Sequence, residues 1–308
     1  MLYHRAEVRD ALPPTAHLTL DWIFILDIRK PLLIGHGLLG NAIARVAAGR
    51  GLELRVADLP EVDITDPASV NALVSSVGPD VVILTAAYTR VDDCESNAEL
   101  AMRANADGPA NVARAANEAG ARLVFYSTDY VFDGMKGAPY VEDDPPNPLS
   151  VYGRSKLAGE ANVARIARDV MIIRTASLFG AGGANFVSTI LAKLRGGGKL
   201  SIVSDQTMSP TYNVDLARAT FEMVERDLLG TFHVVNGGGY TWLDWAREIA
   251  KAAGYGGAEI APVTSAELAR PAGRPAYSVL DCGKMHRSGA PPMPHATDAL
   301  KGFLAELK

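Results

Sequence analysis

Cysteine is nearly absent from this chain of 308 residues. The two that occur, Cys94 and Cys282, have no neighbour at disulfide or metal-ligand spacing, which excludes a cystine framework and leaves them as reduced bystander thiols. Six histidines, His4, His17, His36, His233, His286 and His295, form no ligand pattern, so no metal site can be assigned. Positive charge is also in short supply. The 30 Lys and Arg face 35 Asp and Glu, a net charge of -5, whereas a nucleic-acid partner calls for a basic surface. Long apolar runs are missing as well. Trp22-Ile23-Phe24-Ile25-Leu26, bounded by Asp21 and Asp27, is the one apolar run in the first thirty residues and falls far short of the ~20 that a membrane span needs. It also lacks the basic start, long apolar core and small-residue cleavage site of a signal peptide. These absences point to a cytoplasmic protein with neither membrane nor nucleic acid as partner, and to residues 1–30 as an N-terminal extension.

What is present suffices for a sizeable core, since 48% of residues are hydrophobic and the length suggests about two domains. Leu32-Leu33-Ile34 reads as a short buried strand, and Pro31, lacking an amide, should precede it rather than belong to it. The run leads into Gly35-His36-Gly37-Leu38-Leu39-Gly40 and then a helical pattern from Asn41 to Gly49. Strand, glycine turn and helix in that order make a dinucleotide-binding unit, because the glycines permit a tight turn and let a pyrophosphate approach the helix N-terminus. Leu52 to Ala57 reads as the second strand. It ends at Asp58, 23 positions after Gly35, where an acid can accept from a ribose hydroxyl. Asp80 to Thr85, Arg122 to Ser127 and Val170 to Thr175 are further apolar strands, and Ala98 to Ala119 is an alanine-rich helix. The alternation predicts an α/β fold with a Rossmann-type doubly wound parallel sheet, with ligands beyond the carboxyl ends of its strands.

Thr128 stands at one of those ends. Ser150-Val151-Tyr152-Gly153-Arg154-Ser155-Lys156 opens the next helix, and residues four apart on a helix share a face, which brings Lys156 beneath the ring of Tyr152. Hydroxyl, phenol and ammonium are the set needed to pass a proton to a carbonyl while a hydride arrives from a nicotinamide. A free phenol has a pKa of about 10, and a cation beside it lowers that by one to three units, so a depressed Tyr152 is expected. Ten tyrosines and nine lysines give roughly 0.3 such pairs by chance, so the pair takes its weight from the dinucleotide unit upstream.

Further segments carry a family resemblance: Asp63-Ile64-Thr65-Asp66, Ala86-Ala87-Tyr88-Thr89-Arg90-Val91-Asp92, Asn105-Ala106-Asp107-Gly108, Ser127 to Gly134, Tyr152 to Lys156, Arg174-Thr175, Asp205-Gln206 with Ser209-Pro210-Thr211, and Arg274 to Asp281. From Pro31 to Leu307 the chain resembles the extended short-chain dehydrogenases/reductases and, among them, the dTDP-4-dehydrorhamnose reductase family. The resemblance implies a nucleotide-sugar substrate whose C4 ketone is reduced, with NADPH or NADH as cofactor. It implies Thr128, Tyr152 and Lys156 as the catalytic set, Tyr152 donating the proton, Lys156 also binding the nicotinamide ribose and Thr128 holding the carbonyl. The cofactor site would comprise Gly35, His36, Gly37, Leu38, Leu39 and Gly40 with Asp58, Asp63, Ile64, Ala86, Ala87 and Tyr88. Substrate contacts would come from Thr89, Val91, Thr128, Asp129, Tyr130 and Ser177. Arg274 could reach a diphosphate through its fork, a solvated loop charge being the alternative.

The chain departs from the family pattern in three places. One residue rather than two separates the first two glycines, which brings His36 near the pyrophosphate; Ser177 stands where the family commonly has a tryptophan; and Pro294-His295-Ala296 replaces a C-terminal tryptophan. Asp58 would repel a 2′-phosphate and leans toward NADH, while loop cations could offset it. The expected organisation is a Rossmann domain over 31–180 and a sugar-nucleotide domain over 181–308, with a segment near 212–240 returning to the former. Phe186 to Leu194 and Val214 to Arg226 read as helices, Leu200 to Val203 as a strand, and Thr241 as the N-cap of a helix that buries Trp242 and Trp245. A homodimer is compatible with this reading. Two alternatives stay open: another nucleotide-sugar reductase, epimerase or dehydratase of the superfamily, or a regulatory subunit that keeps the fold without turnover.

Overall fold

The computed structural model describes residues 27–307, so the run from Trp22 to Leu26 lies outside the described residues. Short apolar runs become the strands β1 (Pro31–Ile34), β2 (Arg55–Ala57), β3 (Val81–Leu84), β4 (Arg122–Thr128) and β5 (Val170–Thr175). After them come β6 (Leu178–Phe179), β7 (Leu200–Val203), β8 (Thr207–Met208), β9 (Thr211–Tyr212), β10 (Gly230–His233), β11 (Tyr240–Thr241) and β12 (Ile260–Val263). The main sheet runs β10-β5-β4-β3-β1-β2, with every neighbouring pair parallel. The smaller strands pair as β11 with β8, β12 with β7 and β6 with β9.

Helices cover a parallel sheet on both faces, which is why its strands are apolar at consecutive positions rather than alternate ones. They are α1 (Leu38–Gly49), α2 (Pro67–Val77), α3 (Val91–Ser96), α4 (Ala98–Met102), α5 (Gly108–Ala119), α6 (Val151–Ile166), α7 (Phe186–Arg195), α8 (Asn213–Glu225), α9 (Trp242–Ala252), α10 (Ser265–Leu268), α11 (Gly283–Arg287) and α12 (Ala296–Glu306). Leu33, Ile83, Val124 and Ile173 join α1 and α8 in one core, which continues without a break into α7, α9 and α12 around Phe179, Trp245 and Phe303. Leu32, Ile34, Val82, Leu123 and Phe125 form a second core under α2, α5 and α6. The order of strands reverses between β1 and β3, and a ligand crevice opens at such a point beyond the carboxyl ends.

Four readings of the sequence change. Pro31 belongs to β1 as its first residue, opposite Val81, a position where a strand tolerates the missing amide. The second strand begins only at Arg55, because Leu52 N–H still donates to Ala47 in the turn that closes α1. The alanine-rich helix is not continuous: α4 gives way to a π-helical turn at Arg103–Asp107 before α5. Pro109, on the first turn of α5, has no amide to offer the carbonyl of Asn105, and that carbonyl points instead at Gly159 on α6. Trp242 is only half-buried, whereas Trp245 is fully buried. Thr241 does cap α9, its hydroxyl accepting from the amide of Asp244 at 3.0 Å.

The cover on the second face is fastened by one ion pair. Arg174 on β5 donates through Nε and Nη2 to the two carboxylate oxygens of Glu160 on α6, at 2.9 and 2.7 Å, and both side chains are only 7% exposed. A buried pair of this kind gains little over an apolar pair, but losing one partner strands the other charge at a cost of about 3–5 kcal/mol. Glu160→Ala should therefore lower the unfolding free energy by that amount, read as a lower urea midpoint at unchanged slope, and Glu160→Leu with Arg174→Leu should recover most of it.

Candidate functional site

At the switch point the chain leaves β1 through Gly35, whose φ is +105° and whose added Cβ would stand 2.4 Å from the amide nitrogen of Ala86. The loops after β1 and β3 are therefore in backbone contact. Ala86 N–H donates to Ile34 at 3.0 Å, and Asp58 at the end of β2 closes the same turn, accepting from His36 N–H at 2.8 Å and from Leu59 N–H at 2.9 Å. Helix α1 begins after Gly37 with no side-chain cap and no acid in its first turn. Its leading amides thus face the crevice without a side-chain acceptor, as an anion site requires.

The tyrosine–lysine helix is set by local chemistry. Ser150 caps α6, its hydroxyl accepting from Gly153 N–H at 3.1 Å, so Tyr152 falls in the first turn and Lys156 one turn further. A Cβ on Gly153 would stand 2.2 Å from the carbonyl oxygen of Tyr130, so glycine alone lets α6 reach the turn that follows β4. That turn carries Thr128, Asp129 and Tyr130. Thr128 Oγ1 donates to Asp129 Oδ1 at 3.1 Å and accepts from Tyr130 N–H at 3.2 Å, while the rings of Tyr130 and Tyr152 meet edge to face at 6.0 Å.

Protonation in the site follows burial. Burial pushes the Tyr152 phenol above its usual range, with Thr128 pulling it back and Asp129 raising it further. Lys156 is 3% exposed; burial brings its ammonium down to about 7, opposed by Glu160. Its Nζ lies 4.2 Å from the ring centroid of Phe125 and makes no protein hydrogen bond among the described residues. The expected depression of Tyr152 by Lys156 is therefore reversed. Loss of water is the largest influence on each group, and it favours the neutral form of both.

The remaining candidates divide into those the structure joins and those it leaves apart. Arg274 donates through Nη1 and Nη2 to the two oxygens of Asp92 on α3, both at 2.9 Å, and also interacts with the Tyr130 hydroxyl, so its fork holds a carboxylate. It lines a cavity of about 260 Å³ with Val203, Gln206 and Arg270. Asp63 is exposed and closes its own turn onto Thr65, while Ile64 packs on Gly108. Leu38, Leu39 and Gly40 form the first turn of α1. Ser177 has a φ of +43° just past β5, a strained value for a residue with a side chain. Among the described residues no hydrogen bond or ring contact joins Thr89, Val91 or Ser177 to the tyrosine–lysine pair. A larger cavity, of about 500 Å³, is lined by Thr207, Tyr277, Val279 and Cys282 and touches none of the candidate residues.

Two positions lie in segments quoted for the resemblance but were given no role there. Asn105 in the π-helical turn accepts from Tyr88 N–H at 2.8 Å, donates to Tyr88 O at 2.9 Å and to Ser155 Oγ at 3.0 Å, so it ties the loop after β3 to α6 beside Lys156. Ser278 donates to Asp129 Oδ2 at 2.6 Å. Their place in those segments was the available signal; the contacts themselves were not legible, since the Ser278 contact spans 149 residues.

A nicotinamide dinucleotide suits what these residues leave free: the uncapped start of α1, the Lys156 Nζ over the Phe125 ring, and the buried Ser127 Oγ, which lacks a protein partner among the described residues; both oxygens of the Asp58 carboxylate already accept backbone amides. The buried ammonium also has a stability signature. Below about pH 7 Lys156 is charged in both folded and unfolded chains and the full burial cost is present. Between about 7 and its ordinary value of 10.5 the unfolded chain binds more protons, so stability rises with pH. Lys156→Met should thus raise the melting temperature at pH 6 by on the order of 2–4 °C, with the gap closing by pH 10, as scanning calorimetry would record.

Comparison with known proteins gives the family. The family model described as the RmlD substrate binding domain matches residues 30–308. The dTDP-4-dehydrorhamnose reductase of Streptomyces griseus is 40% identical over 270 residues, covering 86% of this chain and 89% of that protein. The crystal structure of a dTDP-4-dehydrorhamnose reductase from Clostridium acetobutylicum is 39% identical, with a TM-score of 0.87 over 90% of this chain and 99% of the other. That of the Bacillus anthracis reductase in complex with NADP is 34% identical, with a TM-score of 0.88 over 91% and 100%. The chain belongs to the dTDP-4-dehydrorhamnose reductase family.

Proposed function

We propose that this protein reduces the C4 ketone of a nucleotide-linked 4-keto-6-deoxyhexose, taking dTDP-4-dehydro-L-rhamnose to dTDP-L-rhamnose with NADPH or NADH. The observation that carries this reading is the placement of the partly buried Tyr152 phenol in the first turn of α6, against the turn that carries Thr128 and one helical turn from the buried Lys156. The bound nicotinamide supplies the hydride. As C4 receives it, the carbonyl π electrons move to O4, and Tyr152 gives O4 its proton and is left as phenolate. A raised phenol suits a donor, because the proton stays on Tyr152 until negative charge develops at O4. Lys156 then faces a phenolate rather than a phenol, and its own charged form is favoured.

Asp92 and Tyr130 hold Arg274 at the mouth of the smaller cavity, where it would meet the nucleotide diphosphate. Among the described residues Asp129 is the one carboxyl bonded to Thr128, and the next residue, Tyr130, turns its hydroxyl toward Arg274. A single acid favours ketone reduction over dehydration, for which an acidic pair would be expected at these positions. Cytoplasmic residence and a homodimer accompany the reading; among the described residues no helix is long and apolar enough to cross a membrane.

With purified protein, either cofactor and the 4-keto sugar generated in situ, nicotinamide absorbance should fall only when the sugar is present. Tyr152→Phe should keep cofactor binding and lose about 10²- to 10⁴-fold in turnover. An active phenylalanine variant would remove Tyr152 as the donor. If the wild-type protein leaves the sugar unreduced while still binding cofactor, the substrate assignment fails.

A further inference from the structure

We propose that the cavity of about 260 Å³ beside Arg274 seats the nucleoside, where the Gln206 carboxamide reads the edge of a pyrimidine base and Arg270 joins Arg274 on the diphosphate. The proposal rests on the reading of the substrate as a nucleotide sugar. It assigns the part of that substrate which lies away from the reacting carbon.

The wall that carries Gln206 is held by three other segments. Asp205 accepts from the Ser265 amide at 3.0 Å and from the Ser265 hydroxyl at 2.7 Å, which ties the chain after β7 to the start of α10. The Gln206 carbonyl accepts from Trp242 N–H at 3.2 Å, and the Thr207 amide donates to the carbonyl of Ala276 at 2.8 Å. The backbone around Gln206 is thus fixed. Its side chain is not engaged: the residue is 9% exposed, lines the cavity, and has no side-chain hydrogen bond among the described residues. A buried carboxamide without partners is costly, and a ligand in the cavity would supply them.

A carboxamide offers a donor and an acceptor side by side. The edge of thymine or uracil, a carbonyl next to the ring N–H, is its complement, so one base satisfies both groups of Gln206. Val203, Leu268 and Ala269 add apolar surface for the flat ring. The charges suit a diphosphate. Arg274 gives both Nη groups to Asp92, so that pair is neutral. Arg270 lines the same cavity without an ion-pair partner among the described residues, and stands close enough for its charge to act on Asp92 and on the Tyr130 hydroxyl. Of the two guanidiniums, one is engaged and its neighbour is free. Arg274 meets the Tyr130 hydroxyl as well as the cavity, and the Tyr130 ring stands 6.0 Å from that of Tyr152. Outward from Tyr152 the site thus offers room for sugar, then cations, then a base pocket, which is the order of groups along a nucleotide sugar.

The test is calorimetric titration of the full chain with dTDP and with inorganic pyrophosphate, in the absence of sugar and cofactor. Wild-type protein should bind dTDP at least about 10-fold more tightly than pyrophosphate. Gln206→Met keeps the length of the side chain and removes both polar groups. It should weaken dTDP by about 10-fold or more and leave pyrophosphate within about 2-fold, which also shows that the cavity is intact. Arg270→Gln should weaken both ligands together and flatten the fall of affinity with salt. Turnover gives a second readout: in Gln206→Met the KM for the nucleotide sugar should rise about 10-fold, with kcat and the cofactor KM within about 2-fold. Unchanged dTDP affinity in Gln206→Met, an equal loss of dTDP and pyrophosphate there, or wild-type protein that binds the two ligands alike would overturn the proposal. The titration needs no reduction. A dTDP site that responds to Gln206 while the keto sugar stays unreduced would support the nucleoside pocket and count against the proposed reaction alone.

Discussion

No side chain can stand between the first turn of α6 and the turn that follows β4. Gly153 lies against the carbonyl of Tyr130, and this contact brings a helix and a strand end together closely enough for Thr128, Asp129, Tyr130 and Tyr152 to share one small volume. The close approach also removes water. Everything unusual in the site's protonation follows, because phenol, carboxyl and ammonium are all enclosed at a place where the sheet can offer no further backbone partners.

Enclosure acts in opposite directions on acids and bases. It raises Tyr152 and Asp129 and lowers Lys156, so each group is pushed toward its neutral form. A site of neutral groups waits to be polarised by charge that develops during the reaction, and charge is worth more there than in water. The fold bears the cost of keeping the lysine inside, which is why replacing it should stabilise the protein while removing what the chemistry needs.

Connections between distant segments hold this arrangement in place. Asn105 joins the loop after β3 to α6; Glu160 and Arg174 join α6 to β5; Asp129 with Ser278, and Asp92 with Arg274, join the strand ends to the segment leading into α11. Each is a polar pair at least partly withdrawn from solvent, and such pairs fix geometry because breaking one leaves its partner unsatisfied. The π-helical turn at Asn105 belongs to the same set, since a regular helix would carry that side chain past Tyr88.

Strands, the glycine turn and the spacing of Tyr152 and Lys156 were legible in the sequence because each is a local pattern. Consecutive apolar residues mark a doubly covered strand, and residues four apart share a helical face, whatever the rest of the chain does. The resemblance to a reductase family rested on the same short segments. Three features were not legible: the upward shift of Tyr152, the engagement of Arg274 by Asp92, and the break in the alanine-rich helix. A pKa depends on how much water is lost and which charges arrive, and Arg274 meets its partner across 182 positions. The chain by itself determined which residue types stand at the ends of the strands. Only the tertiary structure decided which of them meet and how dry the meeting place is, because burial and long-range pairing are properties of the assembled core rather than of any window of sequence.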